Sequence, residues 1–195
     1  MRRRAEHVEE TRLRITEAAV KLHTSVGPAN TTIAGIADAA GVTRLTVYRH
    51  FADADEVFLA CMGHWSGLHP APDPVSWRAE PDLEARARLA LAQLSDWYRE
   101  VADDLAPIER DVELLPASAR DRRDRQATGW VDAILGDAPD PSGTLRAVIG
   151  HVVAVGTWRS LVVDQGVPPV VAVELEVRWV LEAAGRAARD QGIAT

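Results

Sequence analysis

From Thr43 to Phe51 the chain reads Thr-Arg-Leu-Thr-Val-Tyr-Arg-His-Phe. On a helix, Val47 and Phe51 fall four residues apart on one face, and Arg44, Thr46, Tyr48 and His50 are left facing outward. That outward set carries a guanidinium, hydroxyls and an imidazole, which are hydrogen-bond donors suited to phosphate oxygens and base edges. Arg44 is the candidate for direct base readout, because arginine can pair bidentately with guanine O6 and N7; a phosphate contact is the equal alternative. Leu45 and Thr46 suit base edges or thymine methyls. Thr31 and Thr32 stand before another short helix, whose free N–H groups favour an anion.

The elements that must hold these groups are legible in the same stretch. Thr32 can cap a helix in which Ile33, Ile36 and Ala37 form an apolar face. Ala39 and Ala40 keep its end thin, so that a second helix can cross closely. Gly41 sits where a helix stops and a left-handed residue is needed, Val42 plugs the turn, and Thr43 caps the next helix. Two short helices joined by a tight turn form a helix-turn-helix, whose second helix enters a DNA major groove. The bland alternative, a helical hairpin within a core, does not call for Arg, Thr, Tyr and His together on an outer face.

The run Ile36-Ala37-x-x-Ala40-Gly41-Val42-Thr43-x-x-x-x-Tyr48-x-His50-Phe51 resembles the signature of the TetR family of bacterial transcriptional regulators. Thr11 to Gly27, with Ile15, Ala18, Ala19 and Leu22, resembles that family's first helix. The specific likeness covers about residues 9 to 60; beyond it the chain agrees only in helical character and length. The resemblance implies phosphate contacts from Thr43, Tyr48 and His50. It also implies a C-terminal part that senses a small molecule and forms a homodimer. In one respect the chain departs from the family pattern. A lysine often opens the fourth helix and meets phosphate, and here Ala54 and Asp55 follow Asp53.

The whole chain has 195 residues and a formal net charge of −7, which looks wrong for a DNA binder. The distribution answers this. Residues 1–68 hold eight Lys or Arg and eight Asp or Glu, and the remainder holds 14 Arg against 21 acidic residues. DNA affinity depends on local cations, for which Arg2, Arg3, Arg4, Arg12, Arg14, Arg44 and Arg49 are the set at hand. The single cysteine, Cys61, excludes an intrachain disulfide and fits a cytoplasmic location and a buried apolar role. No apolar run is long enough for a membrane span, and the basic start lacks the apolar stretch of a secretory signal.

The expected architecture is all-α with about nine helices. Residues 1–52 form a three-helix helix-turn-helix domain for DNA binding, with 1–8 as a mobile arm. Residues 53–195 form a helical ligand-binding and dimerisation domain. A first helix spans about 9–25. A fourth begins at Asp53, with Glu56 completing a capping box, and runs to about His69. A proline-rich loop covers 70–79, a fifth helix 82–103, a sixth 107–115 and a seventh ends near Gly136. The eighth, Ser142 to Gln165, and the ninth, Val170 to Asp190, are rich in valine, leucine and alanine. They offer more apolar surface than one monomer core needs, which predicts a homodimer through these two helices. A two-fold dimer would present two recognition helices to a palindromic double-stranded operator.

Candidate residues for a small, largely apolar or aromatic effector are His64, Trp65, Trp97, Tyr98, Trp130, His151 and Trp158, since large aromatics often line apolar pockets. Each of them singly also fits plain core. His64 and His69 do not share a helix face, and no His-Glu-x-x-His or Cys/His cluster is present, so neither a metal nor a cofactor is expected. No nucleophile elbow, phosphate loop or apolar carboxylate pair points to an enzyme. The reading is a ligand-released repressor. The alternative, prompted by Asp53 and Asp55, is a helical adaptor or a protein-partner-controlled regulator with weak DNA binding.

Overall fold

The computed structural model describes residues 2–140 and 142–190, with side chains for 5–140 and 142–187. Among the described residues there are ten α-helices and no strand. The chain divides into two compact units. One runs to Pro70 and takes in Asp103–Asp121, and the other comprises Ala71–Ala102 and continues from Arg122.

The first unit begins with α1 (Arg2–Ser25). This helix starts before residue 9, and the stretch expected as a mobile arm is helical from Arg2. A 3-10 turn, Pro28–Asn30, leads to α2 (Ile33–Ala39), α3 (Arg44–His50) and α4 (Ala54–Leu68). Ile15, Ala19, Ile36, Val47, Phe51 and Val57 meet in one core, with Val42 packed against it. α4 packs along α1 and so belongs to this unit.

Local chemistry defines the starts of α2, α3 and α4. Thr32 accepts from Gly35 N at 3.0 Å, Thr43 from Thr46 N at 3.2 Å and Asp53 from Glu56 N at 2.8 Å. These caps satisfy N–H groups that have no partner within their helices. After α2, Gly41 takes φ 65°. Gly41 N then bonds Asp38 O at 3.1 Å, and Val42 N bonds Ala37 O at 2.9 Å. This paired closure satisfies the last carbonyls of α2 and turns the chain into α3.

The second unit holds α5 (Val75–Arg78), which lies within the expected proline-rich loop and buries Trp77 completely. α6 (Leu83–Arg110) replaces the expected fifth and sixth helices with one of 28 residues. Pro107 lies in its last turn, where a lost backbone bond interrupts little of the ladder. α6 and α7 (Ala117–Leu135) each have residues in both units. Arg86 closes the end of α7, donating from Nε to Ile134 O at 2.8 Å.

The expected eighth helix is broken. α8 (Thr144–Val152) stops, Ala154 is extended, and α9 (Val155–Trp158) passes into a π turn over 159–164; the two pieces differ in direction by 62°. Thr157 donates its hydroxyl to His151 O at 2.6 Å, taking up a carbonyl that a continuous helix would have used. α10 (Pro169–Asp190) corresponds to the expected ninth helix and packs on α8.

Candidate nucleic-acid interface

α3 is seven residues long and is held from one side by Val47 and Phe51, which are 0% and 1% exposed. Its opposite side is free of packing: Leu45 is 61% and Tyr48 53% exposed, and Arg44 and Arg49 are also exposed. Thr46 and His50 are half-buried. The Thr43 and Thr46 hydroxyls lie 2.9 Å apart in a mutual hydrogen bond at the start of the helix. At the start of α2 the two threonines differ. Thr32 Oγ1 accepts from Gly35 N, so its own proton can be donated to an anion. Thr31 instead donates to Gly27 O at 2.9 Å, which turns that hydroxyl back onto the preceding turn.

Arg12 does not join the free cations. Its guanidinium donates to His50 O and, at 3.2 Å, to Glu56 Oε1, and its Cζ sits 4.0 Å from the centre of the Phe51 ring. Glu56 Oε2 accepts from Ala52 N at 2.7 Å. The carboxyl of Glu56 is therefore held below its ordinary range, first by the Ala52 N–H and then by Arg12. The capping box is thus displaced by one residue, because Glu56 reaches the N–H of Ala52 rather than that of Asp53.

Behind this surface, His23 Nδ1 lies 3.3 Å from Cys61 Sγ, and the His23 ring centre is 5.0 Å from that of Phe58. Burial pushes the imidazole down to about 4 and the thiol up to about 12. Both groups are neutral at neutral pH, so Cys61 carries no nucleophilic thiolate. In the sequence the only sign of this buried histidine is its position one turn beyond Ala19 on the inner stripe of α1.

The second unit contains a chain of aromatic rings. Trp77 to Trp130, Trp130 to Trp97, Trp97 to Tyr98 and Tyr98 to Trp158 have centroid separations of 6.5, 6.0, 5.2 and 6.0 Å. Tyr98 donates to Val153 O at 2.6 Å, Trp158 Nε1 to Ser95 Oγ at 3.0 Å and Trp77 Nε1 to Gln93 Oε1 at 2.7 Å. Four of the candidate effector residues, Trp97, Tyr98, Trp130 and Trp158, therefore meet, and Trp77 joins them. His151 is exposed on α8. His64 and Trp65 belong to the first unit, where Trp65 Nε1 donates to Asp104 Oδ2 at 2.9 Å. In α10, Glu176 is 3% exposed with Oε1 lacking a hydrogen-bond partner, and burial raises its carboxyl to about 7. Among the described residues no cluster of His, Cys, Asp and Glu could hold a metal, and no single helix is long and apolar enough to cross a membrane.

Residues 15–61 match the family described as bacterial regulatory proteins, tetR family. The chain is 38% identical over 84 residues to the HTH-type transcriptional regulator TtgR of Pseudomonas putida, covering 43% of this chain and 39% of that protein. It is 39% identical over 57 residues to the HTH-type transcriptional regulator AcrR of Shigella flexneri, covering 29% and 26%. The chain thus spans about two-fifths or less of the length of these relatives. Among solved structures, a tetR-family transcriptional regulator from Streptomyces coelicolor matches with TM-score 0.61 at 23% identity, covering 95% of this chain and 85% of that one. NalD, the secondary repressor of the MexAB-OprM multidrug efflux pump in Pseudomonas aeruginosa, matches with TM-score 0.59 at 19% identity, covering 91% and 97%. At these identities the structural likeness speaks for the fold.

Proposed function

On the premise that this chain belongs to the tetR family of bacterial regulatory proteins, we propose that it is a cytoplasmic transcriptional repressor. In this reading it binds a palindromic operator as a homodimer, and a small apolar or aromatic effector releases it. The observation that carries the reading is α3: a capped helix, anchored from behind by Val47 and Phe51, with Arg44, Leu45, Tyr48 and Arg49 exposed on its outer side. Arg44 reads a base, worth about 1–3 kcal/mol of discrimination for a good bidentate pair. Arg49, Tyr48, His50, Thr43 and Thr32 meet phosphate, Leu45 and Thr46 touch base edges, and Thr31 supports the turn before α2.

Two features of the second unit support the rest. Val170, Val171 and Trp179 leave apolar surface exposed on α10, and Val171, Leu175 and Trp179 recur every four residues. A second copy pairing through α8, the turn after it and α10 would cover that surface. The chain of aromatic rings around Trp97 is largely buried and apolar, the chemical character an apolar or aromatic effector would need where it lodges. Release then follows if the effector prefers the dimer state whose recognition helices no longer match successive grooves.

Asp53 and Asp55 are both exposed beside α3 and favour the second reading, an adaptor with weak DNA binding. The double variant Arg44→Ala, Tyr48→Ala separates the two. The repressor reading expects loss of binding to a duplex enriched by the wild-type protein, with dimerisation intact. Unchanged duplex binding would favour the adaptor.

A further inference from the structure

We infer that Arg12 is the positioning residue for the α3 recognition helix, fixing the angle at which that helix meets DNA instead of touching phosphate. The inference rests on the DNA-binding reading given above.

Val47 and Phe51 are one turn apart on the same side of α3, so their side chains anchor it along a line. Two points on a line leave a helix free to roll and tilt about it. The third point is the His50 carbonyl, which has no acceptor role within the helix and receives the Arg12 guanidinium. The same guanidinium lies over the Phe51 ring at 4.0 Å and holds Glu56 Oε1 at 3.2 Å. Glu56 in turn fixes Ala52 N at 2.7 Å, and Asp53 fixes Glu56 N at 2.8 Å. One side chain on α1 thereby ties together the end of α3, the 51–53 linker and the first turn of α4. From His50 to Arg44 is about 9 Å along the helix, so a tilt of about 10° moves Arg44 by roughly 1.6 Å. That displacement exceeds the tolerance of a bidentate hydrogen bond.

Charge supports the same role. Arg12 is paired with Glu56 in a salt bridge, so the pair is neutral and displaces no counterion from DNA. A phosphate-contacting arginine would add to the salt dependence, and Arg12 adds nothing.

The test uses the full chain, fluorescence anisotropy and two probes: a duplex enriched by the wild-type protein from a random library, and the unselected pool of that library. For Arg12→Met, which keeps the stem and loses the fork, affinity for the enriched duplex falls about tenfold. Affinity for the pool falls less, by about two- to threefold, from the screened repulsion of the now unpaired Glu56, and the slope of log affinity against log salt is unchanged because no phosphate contact is lost. Glu56→Gln shifts in the same direction, although removing a negative charge near DNA would by electrostatics alone strengthen binding. Arg12→Lys, able to meet Glu56 but not to span both acceptors, falls between. Amide exchange at Phe51 and Ala52 accelerates in Arg12→Met while Ile36 and Ala37 stay protected. If Arg12→Met unfolds the domain, Arg12→Lys and Glu56→Gln carry the comparison.

Parallel weakening on both probes with the slope reduced by about 0.9 would make Arg12 a phosphate contact and overturn the inference. So would an Arg12→Met protein indistinguishable from wild type. A wild-type protein that binds neither probe overturns the DNA-binding reading itself, an outcome distinct from both.

Discussion

Glu176→Gln should stabilise the second unit, and the gain should depend on pH. The carboxyl lies on the buried stripe of α10, with Ala172, Val173, Val177 and Val180. Its Oε1 has no hydrogen-bond partner, and burial raises it from 4.5 to about 7. Below pH 4.5 the group is protonated in folded and unfolded chains alike, and its burial has no charge cost. Between 4.5 and 7 the unfolded chain ionises and the folded chain does not, so the unfolded state binds fewer protons and stability falls as pH rises. Above about 7 the loss is complete. A shift of about 2.5 units at about 1.36 kcal/mol per unit gives roughly 3 kcal/mol. Glutamine copies the shape of the protonated acid and cannot ionise. The variant should therefore match wild type within about 0.5 kcal/mol at pH 4.5 and exceed it by about 3 kcal/mol at pH 8. Urea unfolding at fixed protein concentration, followed by tryptophan fluorescence, reads this directly, because five of the six tryptophans belong to that unit. A difference between variant and wild type that does not change with pH would refute the reasoning.

In the first unit the dependence has the opposite sign. His23 is held down to about 4 by burial, so the unfolded chain takes up a proton below 6.5 that the folded chain refuses. Amide exchange of α1 and α4 should show stability falling by about 3 kcal/mol as pH drops from 6.5 to 4. Cys61, with its thiol pushed up to about 12, should resist iodoacetamide at pH 8 in the folded protein and react fully in urea; rapid labelling of the native state would contradict its burial. Gly27→Ala should lower the thermal midpoint by an amount equivalent to about 2 kcal/mol or more. Gly27 has φ 91°, and a Cβ there would collide with the Arg110 guanidinium and the Asp111 carboxylate.

What was legible in the sequence is what a few neighbouring residues decide among themselves. Thr32, Thr43 and Asp53 cap helices three residues ahead, and Gly41 is the left-handed stop after α2. The inner stripe Ile15, Ala18, Ala19 needed only a period of 3.6. Distant pairing was not legible. Arg12 meets Glu56 across 44 residues, and in sequence it reads as one more free cation. Ala29 N receives Asp111 Oδ2 across 82 residues, again with no local sign. Proline is a weaker stop than its type suggests: Pro107 lies in the last turn of α6, where little of the ladder is lost, and near Pro74 the buried Trp77 sits on a short helix within the expected loop. The break after Val152 depends on Thr157 turning back to His151 O, an ambiguity that a valine-rich run conceals. For the aromatic residues, type alone marked candidates. Only the fold brings Trp97, Tyr98, Trp130 and Trp158 together within the second unit, leaves His151 exposed on α8 and puts His64 and Trp65 in the first unit.

The central claim, that this chain reads an operator as a dimer through α3, is tested most directly by selecting bound duplexes from a random DNA library at two salt concentrations. The account predicts enrichment of a palindrome whose affinity falls steeply with salt. Absence of any enriched sequence at low salt, from protein shown to be folded, would contradict it.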